Sequence, residues 1–181
     1  MVLGKNEFDL VILGILTASP APLHGYVIKQ SIEGSYGGRY FKLSNSSMYP
    51  RLAKLEDEGF IEGRKEQQEN VPDKKVYRIT DAGKQRFKEL IRMPVDPHAS
   101  TSDRDYNFMV HAVHFSYLNK EERRKVTQPM YEDAQAELNE ALGKRGKFGS
   151  YLDKISLLVL DEGIEQLKNK VRFYGRLMEL E

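Results

Sequence analysis

The spacing of apolar residues changes period twice within the first half of the chain, and this restricts the fold to few arrangements. Phe8, Val11, Ile12 and Ile15 recur at helical spacing, and Leu10, Leu13 and Leu16 make the same segment apolar on nearly every side. The spacing predicts a helix buried on most of its surface. Asn6 with Asp9 matches an N-cap with an acidic third position, and Ser19-Pro20-Ala21-Pro22 stops the helix. A second helix is predicted from about Gly25 to Glu33, with Ile28 and Ile32 one turn apart and Gly34, Gly37 and Gly38 closing it. A third follows Ser44 or Asn45 and runs to about Glu58, with Met48, Leu52 and Leu55 as its inner stripe and Gly59 as its C-terminal cap. The period then falls to two. Residues 60–64 and 76–79 read as strands, joined by a polar loop with a turn at residues 70–73. Thr80 caps a further helix carrying Phe87, Leu90 and Ile91. This is the element order of a winged helix-turn-helix with a two-stranded wing.

Residues 93–102 hold two prolines and a cluster of small polar residues, which interrupt helix. The chain is thereby divided into a winged helix-turn-helix DNA-binding domain at 1–92, a linker at 93–102 and an all-helical dimerisation domain at 103–181. The fold class is mainly α. Residues 1–92 carry 15 Lys and Arg against 12 Asp and Glu, and the remainder 13 against 15. The most regular run is the last. Ser150 and Asp153 match a capping start, and Leu157, Leu160, Ile164, Leu167, Val171, Tyr174 and Met178 then follow at intervals of three and four, a heptad seam. Before it, Val126, Met130, Ala134, Leu138 and Leu142 recur every four residues, with Pro129 marking a kink or a restart. The seam has two candidate partners, that preceding helix and a second copy of the chain, and the two are compatible. The intersubunit bundle is the expected one, and Ile155, Leu158 and Val159 on the other side also need cover.

Five stretches then combine: Ile12-Leu13-Gly14-Ile15-Leu16; Leu23-His24-Gly25-Tyr26; Leu43 through Tyr49-Pro50-Arg51-Leu52; Leu55-Glu56-Asp57-Glu58-Gly59-Phe60-Ile61; and Tyr77-Arg78-Ile79-Thr80-Asp81-Ala82-Gly83. Together they resemble the PadR family of bacterial transcriptional regulators over nearly all of residues 8–92. The rest is similar in length and helical character to the long-tailed subgroup, which includes regulators of the AphA type. The resemblance implies a sequence-specific regulator, usually a repressor, acting as a homodimer on a two-fold double-stranded DNA operator. It also implies a small-molecule effector, phenolic acids in the founding branch, although that branch carries a His where this chain has Asn45.

The residues themselves suit a DNA reader. A recognition helix must turn short polar and basic groups away from the core. Asn45, Ser46, Ser47, Tyr49, Arg51 and Lys54 are the outward candidates, with Asn suited to adenine edges and Arg to guanine edges. The wing adds Arg64, Lys65, Lys74 and Lys75, and Lys29, Arg39 and Lys42 are placed to meet phosphates. The resemblance implies phosphate contacts for Tyr26 and Tyr49. Each has a plainer alternative: Tyr49 packing under the second helix, Arg51 and Lys54 pairing with Asp57 and Glu58, and Lys74-Lys75 as a solvated loop pair.

Tyr106, Phe108, Met109 and His111, with His114 nearby, form an aromatic stretch where a ligand pocket between the domains is expected; core packing is the alternative. The chain has no Cys, which removes thiolate metal sites, disulfides and Cys nucleophiles. No metal and no cofactor are expected. No phosphate-cradling glycine loop, nucleophile elbow or triad is present, so an enzyme is not expected. No apolar run approaches a membrane span, and the first ten residues do not read as a signal peptide, so the cytoplasm is the expected compartment. The competing reading is a winged-helix protein-interaction module without operator binding.

Overall fold

The computed structural model describes residues 4–35, 45–66 and 74–180. They form two compact units, Met1–Tyr117 and Leu118–Glu181.

The first unit is built on α1 (Lys5–Ala18), whose Leu10, Val11, Ile12, Leu13 and Leu16 are all buried. The helix begins earlier than the capping pattern suggests. Its N-cap is Gly4, with no side-chain capping bond, and Asp9 lies buried within the helix rather than serving the cap. After β1 (Leu23–His24) comes α2 (Gly25–Ser35), which runs through Gly34 instead of ending there; Gly37 and Gly38 lie outside the described residues. Helix α3 (Asn45–Asp57) buries Met48, Leu52 and Leu55 completely. It ends as expected at Gly59, whose φ of 75° is the left-handed conformation glycine adopts without strain. The Gly59 and Phe60 amides donate to the carbonyls of Glu56 and Leu55, both at 2.9 Å, which satisfies two of the last carbonyls of α3.

The wing strands β2 (Ile61–Glu66) and β3 (Lys74–Ile79) are antiparallel, with Ile61 opposite Ile79 and Arg64 opposite Val76. A third strand was not legible in the sequence. β1 pairs with the other edge of β3, Leu23 opposite Tyr77, giving the order β1-β3-β2. Two residues are too few for a period of two to show. Helix α4 (Asp81–Arg92) starts at Thr80, whose hydroxyl accepts the Gly83 amide at 3.0 Å and donates to the Gly59 carbonyl at 2.7 Å. A Cβ at Gly83 would stand 1.9 Å from the Phe60 carbonyl oxygen, so this approach requires glycine.

The expected linker falls inside this unit. Helix α5 (Thr101–Ala112) packs on α1 and buries Phe108 and Val110, and a single 3₁₀ turn, Phe115–Tyr117, follows. The second unit starts only after it. Proline and small polar residues mark where helix stops, whereas burial decides where a domain stops.

The second unit is a helical hairpin of α6 (Lys120–Phe148) and α7 (Lys154–Glu179), joined by a short turn. Lys120 pairs with Glu179 at 3.6 Å and Arg145 with Asp161 at 2.6 Å, so the helices run antiparallel. Asn119 and Glu122 form a full capping box on α6. The helix continues through Pro129, which rules out a restart there. Asp153, not Ser150, is the cap of α7, accepting the Ile155 and Ser156 amides.

The hairpin gives the α7 seam a partner within the chain, the alternative that its spacing left beside an intersubunit bundle. Ile164, Tyr174 and Met178 are buried and Leu157, Leu160, Leu167 and Val171 half-buried, in the face-to-face packing of α7 on α6 with its buried Val126, Met130, Ala134 and Leu138. A short turn joins the two apolar stripes into a helical hairpin within one chain. The side left open carries Ile155, Leu158 and Val159, which are 75%, 69% and 67% exposed.

Candidate nucleic-acid interface

The outer face of α3 follows from its inner one. With Met48, Leu52 and Leu55 fixed on the core, helical geometry turns Ser46, Ser47, Tyr49 and Lys54 outward, and all four are exposed. Lys54 lies 3.7 Å from Glu58, an exposed pair of the kind that contributes roughly 0.3–0.5 kcal/mol. Lys42 lies outside the described residues, as do Arg39 and the side chains of Asn45 and Lys74.

The two tyrosines meet at the start of α2. Tyr49 lies against the helix's first residue: a Cβ at Gly25 would be 2.8 Å from its Cε1 and 3.4 Å from its hydroxyl oxygen. Tyr26 stacks on His24, ring centroids 5.6 Å apart. Packing and exposure coexist here, since Tyr26 is 49% and Tyr49 43% exposed. Two phenols therefore border a helix N-terminus, where unpaired amides and the helix dipole favour an anion. Lys29, one turn along α2 from Gly25, is half-buried.

Arg51 does not face outward. Its Nε and Nη2 donate to Oδ1 and Oδ2 of Asp9 on α1, and both side chains are largely removed from solvent. Its partner is therefore not Asp57 or Glu58, the pairing that helical spacing anticipates. The partner stands 42 positions away in sequence, beyond any helical spacing rule.

Lys75 is likewise engaged. Its Nζ is 2.5 Å from Glu56 on α3 and 5.5 Å from the centre of the Tyr77 ring. The bond to Glu56 is the main reason its ammonium is held above the ordinary lysine range. Gly63, diagonal to it on the neighbouring strand, makes room, since a Cβ there would stand 2.2 Å from Lys75 Cε and 2.6 Å from Glu56 Oε1. Lys75, still exposed, ties the wing to α3 rather than standing as one of a solvated loop pair. Arg64 and Lys65 on β2 remain exposed, Arg64 beside Glu62 and Glu66 on one face of the sheet. One cation was missed by the sequence reading. Lys5, at the start of α1, lines a surface groove with Phe8, Ser47, Pro50, Arg51 and Lys54.

The aromatic stretch on α5 does not converge on one opening. Phe108 is a core residue, edge-on to Phe115 with centroids 5.8 Å apart. His111 is buried, Nδ1 3.4 Å from the Ile91 carbonyl and Nε2 3.2 Å from Glu7 Oε1. Burial pulls the Glu7 carboxyl up, and the hydrogen bond and charge of His111 outweigh it and hold Glu7 below the ordinary range. Met109 faces solvent and Tyr106 is half-buried. Phe108 and His111 thus serve the packing of α5 on α1 and α4. Among the described residues no group of three or more His, Asp or Glu is placed to hold a metal ion, and no helix is long and apolar enough to cross a membrane.

Comparison with known proteins gives a consistent picture. The model of the transcriptional regulator PadR-like family matches residues 12–89. The negative transcriptional regulator PadR of Bacillus subtilis is 30% identical over 178 residues, spanning 93% of this chain and 94% of that protein. Among solved structures, Bacillus subtilis PadR in complex with operator DNA is 29% identical, covering 95% of this chain and 96% of that one with a TM-score of 0.43. A PadR-like transcriptional regulator from Bacillus cereus is 28% identical, covering 98% and 97% with a TM-score of 0.42.

Proposed function

The chain belongs to the PadR-like family of transcriptional regulators, and from that premise we propose that it is a repressor, binding as a homodimer to a two-fold DNA operator. The observation that carries this reading is the division of α3, which buries one stripe completely and presents Ser46, Ser47, Tyr49 and Lys54 on the other. That face enters the major groove, with Asn45 and Ser47 toward base edges. Tyr26 and Tyr49 at the α2 N-terminus take phosphates, joined by Lys29 and Lys42. Arg64 and Lys74 on the wing approach the adjacent backbone. The Bacillus subtilis relative is a negative transcriptional regulator, which supports the sign.

Dimerisation falls to the exposed side of α7. Ile155, Leu158 and Val159 are an apolar surface on a helix whose seam α6 packs against. A second copy gives them cover and fixes the spacing of two reading heads. Release by a small effector belongs to the same reading on family grounds; of the α5 residues expected around it, Tyr106 and Met109 are the ones the core does not consume.

The test is titration of a selected operator duplex with Ser47→Ala and Arg64→Ala. Loss of a phosphate contact at Arg64 is expected to weaken all sequences alike and to lower the salt slope by about 1, while Ser47→Ala relaxes preference at one base position by roughly 0.5–1.5 kcal/mol, the worth of a single hydroxyl hydrogen bond. Both variants binding like the parent chain would turn attention to a protein partner for the winged helix.

A further inference from the structure

Helix α1 carries two buried carboxylates two residues apart, and each holds a different neighbour. Glu7 meets His111 of α5, and Asp9 meets Arg51 of α3. We propose that Asp9 is a positioning residue for operator recognition, which acts through Arg51 to set the rotation of α3, while Arg51 itself reads no base. The proposal rests on the operator reading above.

The geometry separates this pair from ordinary packing. The two guanidinium nitrogens donate to the two carboxylate oxygens, a fork against a fork. A planar, two-bond contact fixes orientation as well as distance. The aliphatic stripe Met48, Leu52 and Leu55 holds α3 on the core but has no directional bond to resist small rotation about the helix axis. Arg51 lies four residues after Ser47 and three before Lys54, so the three share one ridge of the helix. They line one surface groove with Lys5 and Phe8 of α1. A rotation that Asp9 prevents would carry Ser47 and Lys54 off their targets together. Asp9 takes the Nε–Nη2 edge of the guanidinium, and the Arg51 side chain is only 13% exposed, so the pair presents little of it to a base.

Removing one partner of a buried pair leaves a charge uncompensated, whereas replacing both by apolar groups of similar size is often nearly neutral. That asymmetry supplies the experiment. Asp9→Asn, Arg51→Met and the double variant Asp9→Leu with Arg51→Met are compared with the parent chain. Each is titrated with an operator duplex and a scrambled duplex at temperatures where urea curves show it fully folded. Asp9→Asn is expected to lower operator affinity about tenfold, roughly 1.4 kcal/mol, with scrambled-duplex binding unchanged. The double variant is expected to return to within about threefold of the parent with its base preference intact. The ratio of operator to scrambled binding is a readout that lost stability alone does not move. If Arg51 reads DNA, Asp9→Asn frees it and operator affinity holds or rises, and the double variant loses affinity; either result overturns the proposal. Should Asp9→Asn fail to fold, the double variant decides by its own two outcomes. A parent chain that does not distinguish operator from scrambled DNA is a separate failure, that of the operator reading.

Discussion

His114 sits against Phe87, ring centroids 5.1 Å apart and nearly edge-on, and its Cε1 lies 2.4 Å from where a Cβ on Gly14 would stand. Burial holds its imidazole down to about 4, and the charge of His111 pushes the same way. In the unfolded chain a histidine protonates near pH 6.5. Between about 6.5 and 4 the unfolded state therefore binds one more proton than the folded state, and stability rises with pH across that window at up to about 1.4 kcal/mol per unit. The contribution is complete above about 6.5 and is lost on the way down to about 4. Glu7, held low, acts in the same sense in more acid solution, its share present above the ordinary carboxylate range and lost as pH falls through its folded value. Urea midpoints measured from pH 7.5 to 4.5 are expected to fall steeply for the parent chain and less so for His114→Leu. Parallel curves would remove His114 from this role. None of this was legible in the sequence. His111 and His114 are visible there as two imidazoles three apart, but the Ile91 carbonyl and Glu7 that engage His111 come from other helices. Arg51 repeats the lesson, since its identity suggested guanine and its fold gave it to Asp9.

Elements were easier to read than their partners. The stripe Met48, Leu52, Leu55 located α3 and its buried face, Gly59 its end and Thr80 the start of α4, because each rests on a rule that operates within one or two turns. The two-residue β1 gave no such signal. The seam of α7 was equally plain as a pattern, yet a pattern states that a face is apolar and not what covers it. Here α6 covers it, and the expectation of a second copy moves to the opposite side of the helix. Replacing Ile155 and Leu158 together by Glu tests that side. These positions are exposed in the single chain, so helix content is expected to hold, and the urea midpoint is expected to lose only the concentration-dependent share that association gives the parent. Sedimentation is expected to show a monomer. Operator affinity is expected to fall at least about a hundredfold, since one reading head loses the effective concentration supplied by the other. A variant that remains dimeric would place the interface elsewhere.

At the scale of the molecule the net charge is only +1, with the positive excess in residues 1–92. Such a chain lacks the charge to coat nucleic acid, and a single reading head offers few phosphate contacts. On the operator reading proposed above, tight binding at physiological salt comes from two heads on a matched sequence. With Arg51 and Lys75 engaged by Asp9 and Glu56, fewer cations remain for DNA than the composition of α3 and the wing suggested. Specificity then rests on short polar groups on α3 and on how firmly α3 is held. The most direct measurement is selection of bound sequences from a random duplex pool at two salt concentrations. The expected result is a two-fold symmetric consensus with half-sites about one helical turn, or a multiple of it, apart, persisting at the higher salt. Binding without a consensus, lost steeply as salt is raised, would contradict a sequence-reading dimer.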